Sequence, residues 1–224
     1  VGIVVTDSHE PVFIRSMGGI IDRLDRREYR LSIVASAKGA AKIRRELHAD
    51  AIDFVIIPER FTAATRVMAE SAFDLLFYWE IGTDFLNYFL PMARLAPVQT
   101  VSWGVPITTG HRFVHDYLTS DLWEIPSADS HYTERLVRFQ RLLSYQLRRP
   151  ASSTHPMRNE FGLAPSDHVY VCAQNLGKFH PAFVQALAEV MECDPHARLV
   201  VTSSRHAWPA RTLDEILRRA MGSR

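Results

Sequence analysis

Three short stretches place polar and ionisable side chains directly after strand-like apolar runs, where a parallel α/β sheet presents its ligand-binding edge. The first is "TDSHEPVF". Asp7 or Ser8 can cap the helix that follows, Pro11 suits its first turn, and His9 is left in the loop at the mouth of the strand. By spacing alone His9 reads as a loop histidine, exposed or available to a ligand. The second is "VSWGVPITTGHRF", which carries neither a GxxxxGK[ST] phosphate loop nor a GxGxxG fingerprint. It reads as a polar turn leading into "HDYLTSD", yet it can set the hydroxyls of Thr108 and Thr109 and a close-approaching backbone at Gly110 beside phosphate or sugar oxygens. The third is "CAQNLGKFHP", where Gln174, Asn175, Gly177 and Lys178 precede a helix beginning at Pro181. An ammonium beside free N–H groups of a helix N-terminus is suited to an anion, and a solvated loop lysine is the competing reading.

The elements that must carry these stretches follow from periodicity. Strand-like runs occur at Gly2–Thr6, Leu31–Ala35, Ile52–Ile57, Asp74–Tyr78, Val98–Ser102 and Tyr117–Thr119. Amphipathic segments between them, "VFIRSMGGIIDRL", "KGAAKIRRELHA", "TAATRVMAESA" and "DFLNYFLPMARL", imply right-handed crossovers and parallel strands. Periodicity is lost from about Leu142 to Pro156. Beyond it, "HVYVCAQ", "PAFVQALAEVMEC", "ARLVVTSS" and "TLDEILRRAM" open a second βαβα unit. The expectation is therefore a Rossmann-like α/β domain over residues 1–145, a linker over 146–156 and the first half of a second such domain over 157–224.

Composition excludes several classes. Of 224 residues, 47% are hydrophobic and 23% charged, which fits a globular chain rather than a disordered one. A net charge of +1, from 26 basic and 25 acidic residues, gives no electrostatic footprint for nucleic acid or a membrane surface. Cys172 and Cys193 lack metal-type spacing and read as reduced core thiols in a cytoplasmic protein. Val1 lies directly inside a strand-like run, and the βα alternation stops after Arg224 where another strand is expected, so the chain reads as an excised piece.

The blocks "LAPVQTVSWGVPITTG", "HDYLTSD", "SHYTERLVRF" and "FGLAPSDHVYVCAQNLGKFHPAFVQALAEVMECDPHARLVV", in this order, resemble the catalytic region of the O-GlcNAc transferase family. These are GT-B glycosyltransferases that include bacterial members with N-terminal tetratricopeptide repeats. The resemblance implies a UDP-linked sugar donor, GlcNAc or another hexose, bound in a cleft between two Rossmann-like domains. It further implies transfer to a protein side chain without a metal cofactor. In this sequence Lys178 matches the family's diphosphate-contacting lysine, and Gln174 and Asn175 fall where the family has amides. Thr108, Thr109 and Gly110 match its threonine-rich turn facing donor and acceptor. His9 is similar in placement to a catalytic histidine after the first strand, although "DSHEPVF" differs in spacing.

Two departures stand out. "YWEIGTDF" puts Trp79 and Glu80 where the family has a glycine-rich polar turn, so acceptor or sugar specificity is expected to differ. The family's later glycine- and threonine-rich nucleotide-binding block is not within the 224 residues, so this piece alone is expected to be inactive. The alternatives are a non-catalytic binding module of the same fold and an unrelated flavodoxin-like regulatory domain.

Overall fold

The computed structural model describes residues 1–47, 52–146, 153–202 and 207–221, in two compact units, Val1–Arg149 and Pro150–Arg224. Of the expected linker, residues 147–152 lie outside the described residues.

In the first unit, the described residues form a sheet of seven strands: β1 (Gly2–Val4), β2 (Ser32–Ala35), β3 (Asp53–Ile56), β4 (Leu75–Tyr78), β5 (Val98–Ser102), β6 (Asp116–Ser120) and β7 (Arg135–Phe139). Their spatial order is β3-β2-β1-β4-β5-β6-β7, and every neighbouring pair is parallel. The chain winds outward from β1 to β3, then returns to β4 on the other side of β1. That reversal is the topological switch point at which doubly wound sheets open a crevice.

Strand alternation divides the core into two layers. Ile3, Val5, Ile33 and Ala35 face α1 (Glu10–Ile21) and α2 (Ala37–Glu46), packing with Phe13, Met17, Ile21, Ala40 and Ile43. Val4, Val34, Leu76 and Tyr78 face the other way, against Ala64 and Met68 of α3 (Phe61–Glu70) and against Leu90. Successive side chains on a strand point to opposite faces, so a sheet covered on both sides needs the near-continuous apolar runs seen in the sequence.

Several expectations require correction. The helix expected over "DFLNYFLPMARL" is only α4 (Phe85–Phe89), followed by a 3-10 turn over Leu90–Ala93. Pro91 has no N–H and cannot continue an α-helical ladder. Strand β7, within "SHYTERLVRF", is not among the expected strands, because Arg135 and Arg138 interrupt the apolar residues of this edge strand without a regular alternation. The β5–β6 and β6–β7 connections contain no α-helix, only a 3-10 turn at Ala128–His131. Aromatic rings fill the ground there: Trp79, Trp103 and Trp123 form an edge-to-face series with centroids 5.2 and 5.3 Å apart.

The second unit pairs β8 (His168–Cys172) with β9 (Ala197–Val201) in parallel, with α5 (Pro181–Cys193) and α6 (Ala207–Met221). Val184 of α5 meets Leu213 and Leu217 of α6 in a small core.

Candidate functional site

The loops after β1, β4, β5 and β6 all leave the carboxyl edge of the first unit's sheet, and chemistry-bearing side chains gather in them. The loop after β1 turns at Ser8, whose φ of 74° is left-handed. This makes His9 the N-terminal boundary residue of α1, without a side-chain cap. Neither Asp7 nor Ser8 caps α1 as expected. Asp7 instead accepts a hydrogen bond from Ser36, the residue that caps α2 through the Gly39 amide.

His9 is clamped between carboxylates on the loop after β4. Its Nδ1 contacts Glu80, and its Nε2 lies 3.4 Å from Asp84 Oδ2 and 3.3 Å from Thr83 Oγ1. Asp84 is itself held: it accepts from the Thr6 hydroxyl, from Asn87 Nδ2 at 2.8 Å and from the Asn87 amide at 3.0 Å. Asn87, 1% exposed, organises the loop by accepting the Gly82, Thr83 and Asp84 amides on its side-chain oxygen at 3.0, 3.1 and 3.2 Å. One buried amide thus satisfies three backbone donors that a sharp turn would otherwise leave unpaired.

The electrostatics follow from this geometry. Hydrogen bonding to Asp84 and Glu80 raises the His9 pKa to about 9, against the opposing effect of burial. Burial would push the Asp84 carboxyl up, but hydrogen bonds from His9, Thr6 and Asn87 hold it below its usual value. At neutral pH His9 is therefore an imidazolium. It can donate to an oxygen but cannot take a proton, whereas Asp84 is an ionised acceptor beside it.

Trp79 does not enter this site. It is buried 1% exposed against Phe13 and Trp103, so the bulky residue that departs from the expected polar turn is part of the core. Glu80 is the member of that pair that reaches the site. Its partner is 71 positions away, and nothing local in "YWEIGTDF" points to it.

The turn after β5 is held by Glu134, a buried carboxylate just before β7. Thr108 Oγ1 donates to it at 2.8 Å, the Thr109 amide at 2.9 Å, and the Thr109 hydroxyl donates to it as well. Burial opposes ionisation of Glu134, yet the bonds from Thr109 and Thr108 hold its carboxyl below the usual range. Both threonine hydroxyl protons are thus directed inward, because a buried carboxylate requires donors. Gly110 retains the expected character: its φ is 68°, and a Cβ added there would meet nothing within 4 Å. Bare backbone stays open at that point.

In the second unit, Gln174, Asn175 and Lys178 share the exposed loop between β8 and α5. The Gln174 side-chain oxygen accepts the Asn175 amide at 2.8 Å, and the Asn175 side-chain oxygen accepts the Gly177 amide at 2.9 Å. With both oxygens turned to backbone, the two NH₂ groups remain as donors on the loop that also carries Lys178. The free helix N–H groups expected here are largely engaged. Pro181 has none, Ala182 donates to His180 Nδ1 at 3.2 Å, and Phe183 and Val184 donate to the His180 carbonyl. Side chains therefore supply the donors of this loop.

Among the described residues no group of three or more His, Cys, Asp or Glu could hold a metal ion, and no helix is long and apolar enough to cross a membrane.

Comparison with known proteins gives a consistent family. No protein-family profile matches the chain. It is 29% identical over 108 residues to the "Probable UDP-N-acetylglucosamine–peptide N-acetylglucosaminyltransferase SPINDLY" of Solanum lycopersicum, covering 48% of this chain and 11% of that protein. It is 22% identical over 208 residues to the corresponding SEC protein of Arabidopsis thaliana, covering 89% of this chain and 21% of that protein. Among solved structures, the O-GlcNAc transferase of Thermobaculum terrenum superposes with a TM-score of 0.68 at 20% identity, over 98% of this chain and 42% of that one. The chain thus spans about a tenth to a fifth of the length of these plant relatives. The resemblance to the O-GlcNAc transferase family is borne out, and the fold is of the GT-B type.

Proposed function

We propose that this chain is part of the catalytic region of a protein glycosyltransferase that moves a hexose, GlcNAc or another, from a UDP-sugar to a side chain of an acceptor protein in the cytoplasm. What carries the reading is the loop Gln174–Lys178. Two amide NH₂ groups and an ammonium share one exposed loop, with no anionic partner among the described residues, on a chain similar over 89% of its length to a transferase of this class.

The chemistry asked of each residue follows from charge. As the glycosidic bond breaks, its electron pair leaves with the UDP diphosphate, whose negative charge grows. Lys178 and the amides of Gln174 and Asn175 stabilise that charge more in the transition state than in the ground state. No metal is required where fixed donors do this. On the acceptor side, an acceptor hydroxyl reaches the His9 imidazolium by taking the place of Thr83 at Nε2, where the ring orients its oxygen by donation, while Asp84, held low by its own donors, keeps the ring charged. Gly110 offers uncovered backbone to the sugar, and Thr108 and Thr109 hold that backbone in place through Glu134.

The test is turnover of the complete protein containing this chain, wild type against Lys178→Ala. Losing one such donor costs about 3 kcal/mol, a hundredfold or more in rate. Thermal unfolding should be unchanged, since Lys178 is exposed and its removal leaves no cavity. Near-normal turnover in the folded variant would remove Lys178 from the site.

A further inference from the structure

Where the helix-free β5–β6 and β6–β7 connections meet, a pocket of about 380 Å³ opens at the carboxyl edge of the sheet, walled by the rings of Trp103, Tyr117, Trp123 and Tyr132 with Glu124 among them. The hydrogen bonds of its lining all run one way. Trp103 Nε1 donates to the Leu143 carbonyl at 2.8 Å and the Tyr117 hydroxyl to the Val105 carbonyl at 3.1 Å. Thr119 Oγ1 and the Tyr132 hydroxyl both donate to Glu124 Oε1, at 2.7 and 3.1 Å. Four donors of the lining are thus occupied, and the Trp123 indole N–H is the one left without a hydrogen bond among the described residues. What faces the space is ring surface, negative by its quadrupole, and a carboxylate whose second oxygen has no hydrogen bond among the described residues.

The surrounding loop has the same sign. "DLWEIPSADSHYTE" carries Asp121, Glu124, Asp129 and Glu134 and no lysine or arginine. Arg138, which reaches it from β7, is paired with Asp129 at 2.6 Å and lies 3.8 Å from Asp121. A sugar ring would need several donors as well as acceptors from its pocket, and an anion would need only donors, whereas a single indole N–H remains here. A cation on an apolar stem needs ring faces and a carboxylate, which is what this lining presents.

We propose that this pocket is an acceptor subsite that takes a basic side chain, arginine or lysine, of the polypeptide to be modified. It rests on the reading of the chain as part of a protein glycosyltransferase. Its place supports the role: Trp103, in its wall, packs on Trp79, the neighbour in sequence of the Glu80 that contacts His9. A basic residue seated here lies on the same sheet edge as the groups assigned to the acceptor hydroxyl.

The test measures binding without any donor sugar, so it succeeds or fails independently of turnover. The chain contains four tryptophans, and their indole N–H resonances are followed while N-acetylarginine methylamide is added. Parallel titrations use the neutral isostere N-acetylcitrulline methylamide and methyl glucoside. Saturable shifts of the Trp103 and Trp123 signals are expected with the arginine probe, at millimolar concentrations, and binding of the other two should be at least about tenfold weaker. Glu124→Gln should abolish the preference for arginine over citrulline, and Trp123→Ala should weaken arginine binding by about tenfold in a variant whose far-UV circular dichroism matches that of wild type. Glucoside binding as tight as arginine would reassign the pocket to carbohydrate. No shift with any probe, or an arginine preference that survives Glu124→Gln, would overturn the proposal. If arginine binds as expected while the complete protein transfers no sugar, the transferase reading fails and the cation pocket stands.

Discussion

At the scale of single residues, the clamp on His9 is the feature with the largest electrostatic consequence. Its pKa is raised by bonds that exist only in the folded chain, so those bonds favour folding while the ring is protonated. The sign is fixed by the direction of the shift. The stabilisation is fully present below the ordinary histidine value of 6.5 and is lost as pH rises through about 9. Its ceiling is on the order of 3 kcal/mol. Wild type should therefore be more stable than His9→Gln at pH 6, with the gap narrowing toward pH 10. Denaturant midpoints measured across that range check this, and parallel profiles would mean that His9 is not held as an imidazolium.

At the scale of elements, the site depends on two strand-end loops approaching closely. A Cβ on Gly104, after β5, would sit 2.2 Å from the Trp79 carbonyl oxygen and 2.9 Å from Glu80 Cβ, at the end of β4. Backbone cannot yield as a side-chain tip can, so Gly104→Ala should cost about 2–3 kcal/mol and displace Glu80 from His9. Gly110→Ala is the contrasting case. There the added methyl meets nothing, and only the φ of 68° is penalised, by about 1 kcal/mol. Urea unfolding of the two variants should rank them in that order, and equal stabilities would show that the loops do not pack as described.

At the scale of the whole molecule, the two units differ in how completely their strands are covered. In the first, β1, β2 and β4 are almost entirely buried between two layers. In the second, Val171 is 67% exposed, and Tyr170 and Val200 are each 39% exposed, on a sheet of two described strands. Two strands over so small a core are marginal. Amide exchange should accordingly be faster over Val169–Thr202 than in β1, β4 and β5, and equal protection would count against this difference.

Parallel α/β architecture, the placement of most strands and the second βαβα opening were legible in the sequence, because period-two burial and helical periodicity are local properties. So was the placement of His9, Gly110 and Lys178 in the connections that follow β1, β5 and β8, since each comes a few residues after an apolar run. Strand β7 was not legible: as an edge strand, it carries arginines among its apolar residues and lacks the buried pattern. The partners were hidden for a different reason. His9 meets Glu80 and Asp84 only because the β1–β4 pairing brings the loops after those strands together, and Thr109 meets Glu134 only because the β5–β6 connection runs back past the start of β7. Which polar groups enter these loops is therefore written in single residues, whereas which of them stay open to a ligand, their charge and the direction of their protons are set by neighbours that the chain acquires on folding.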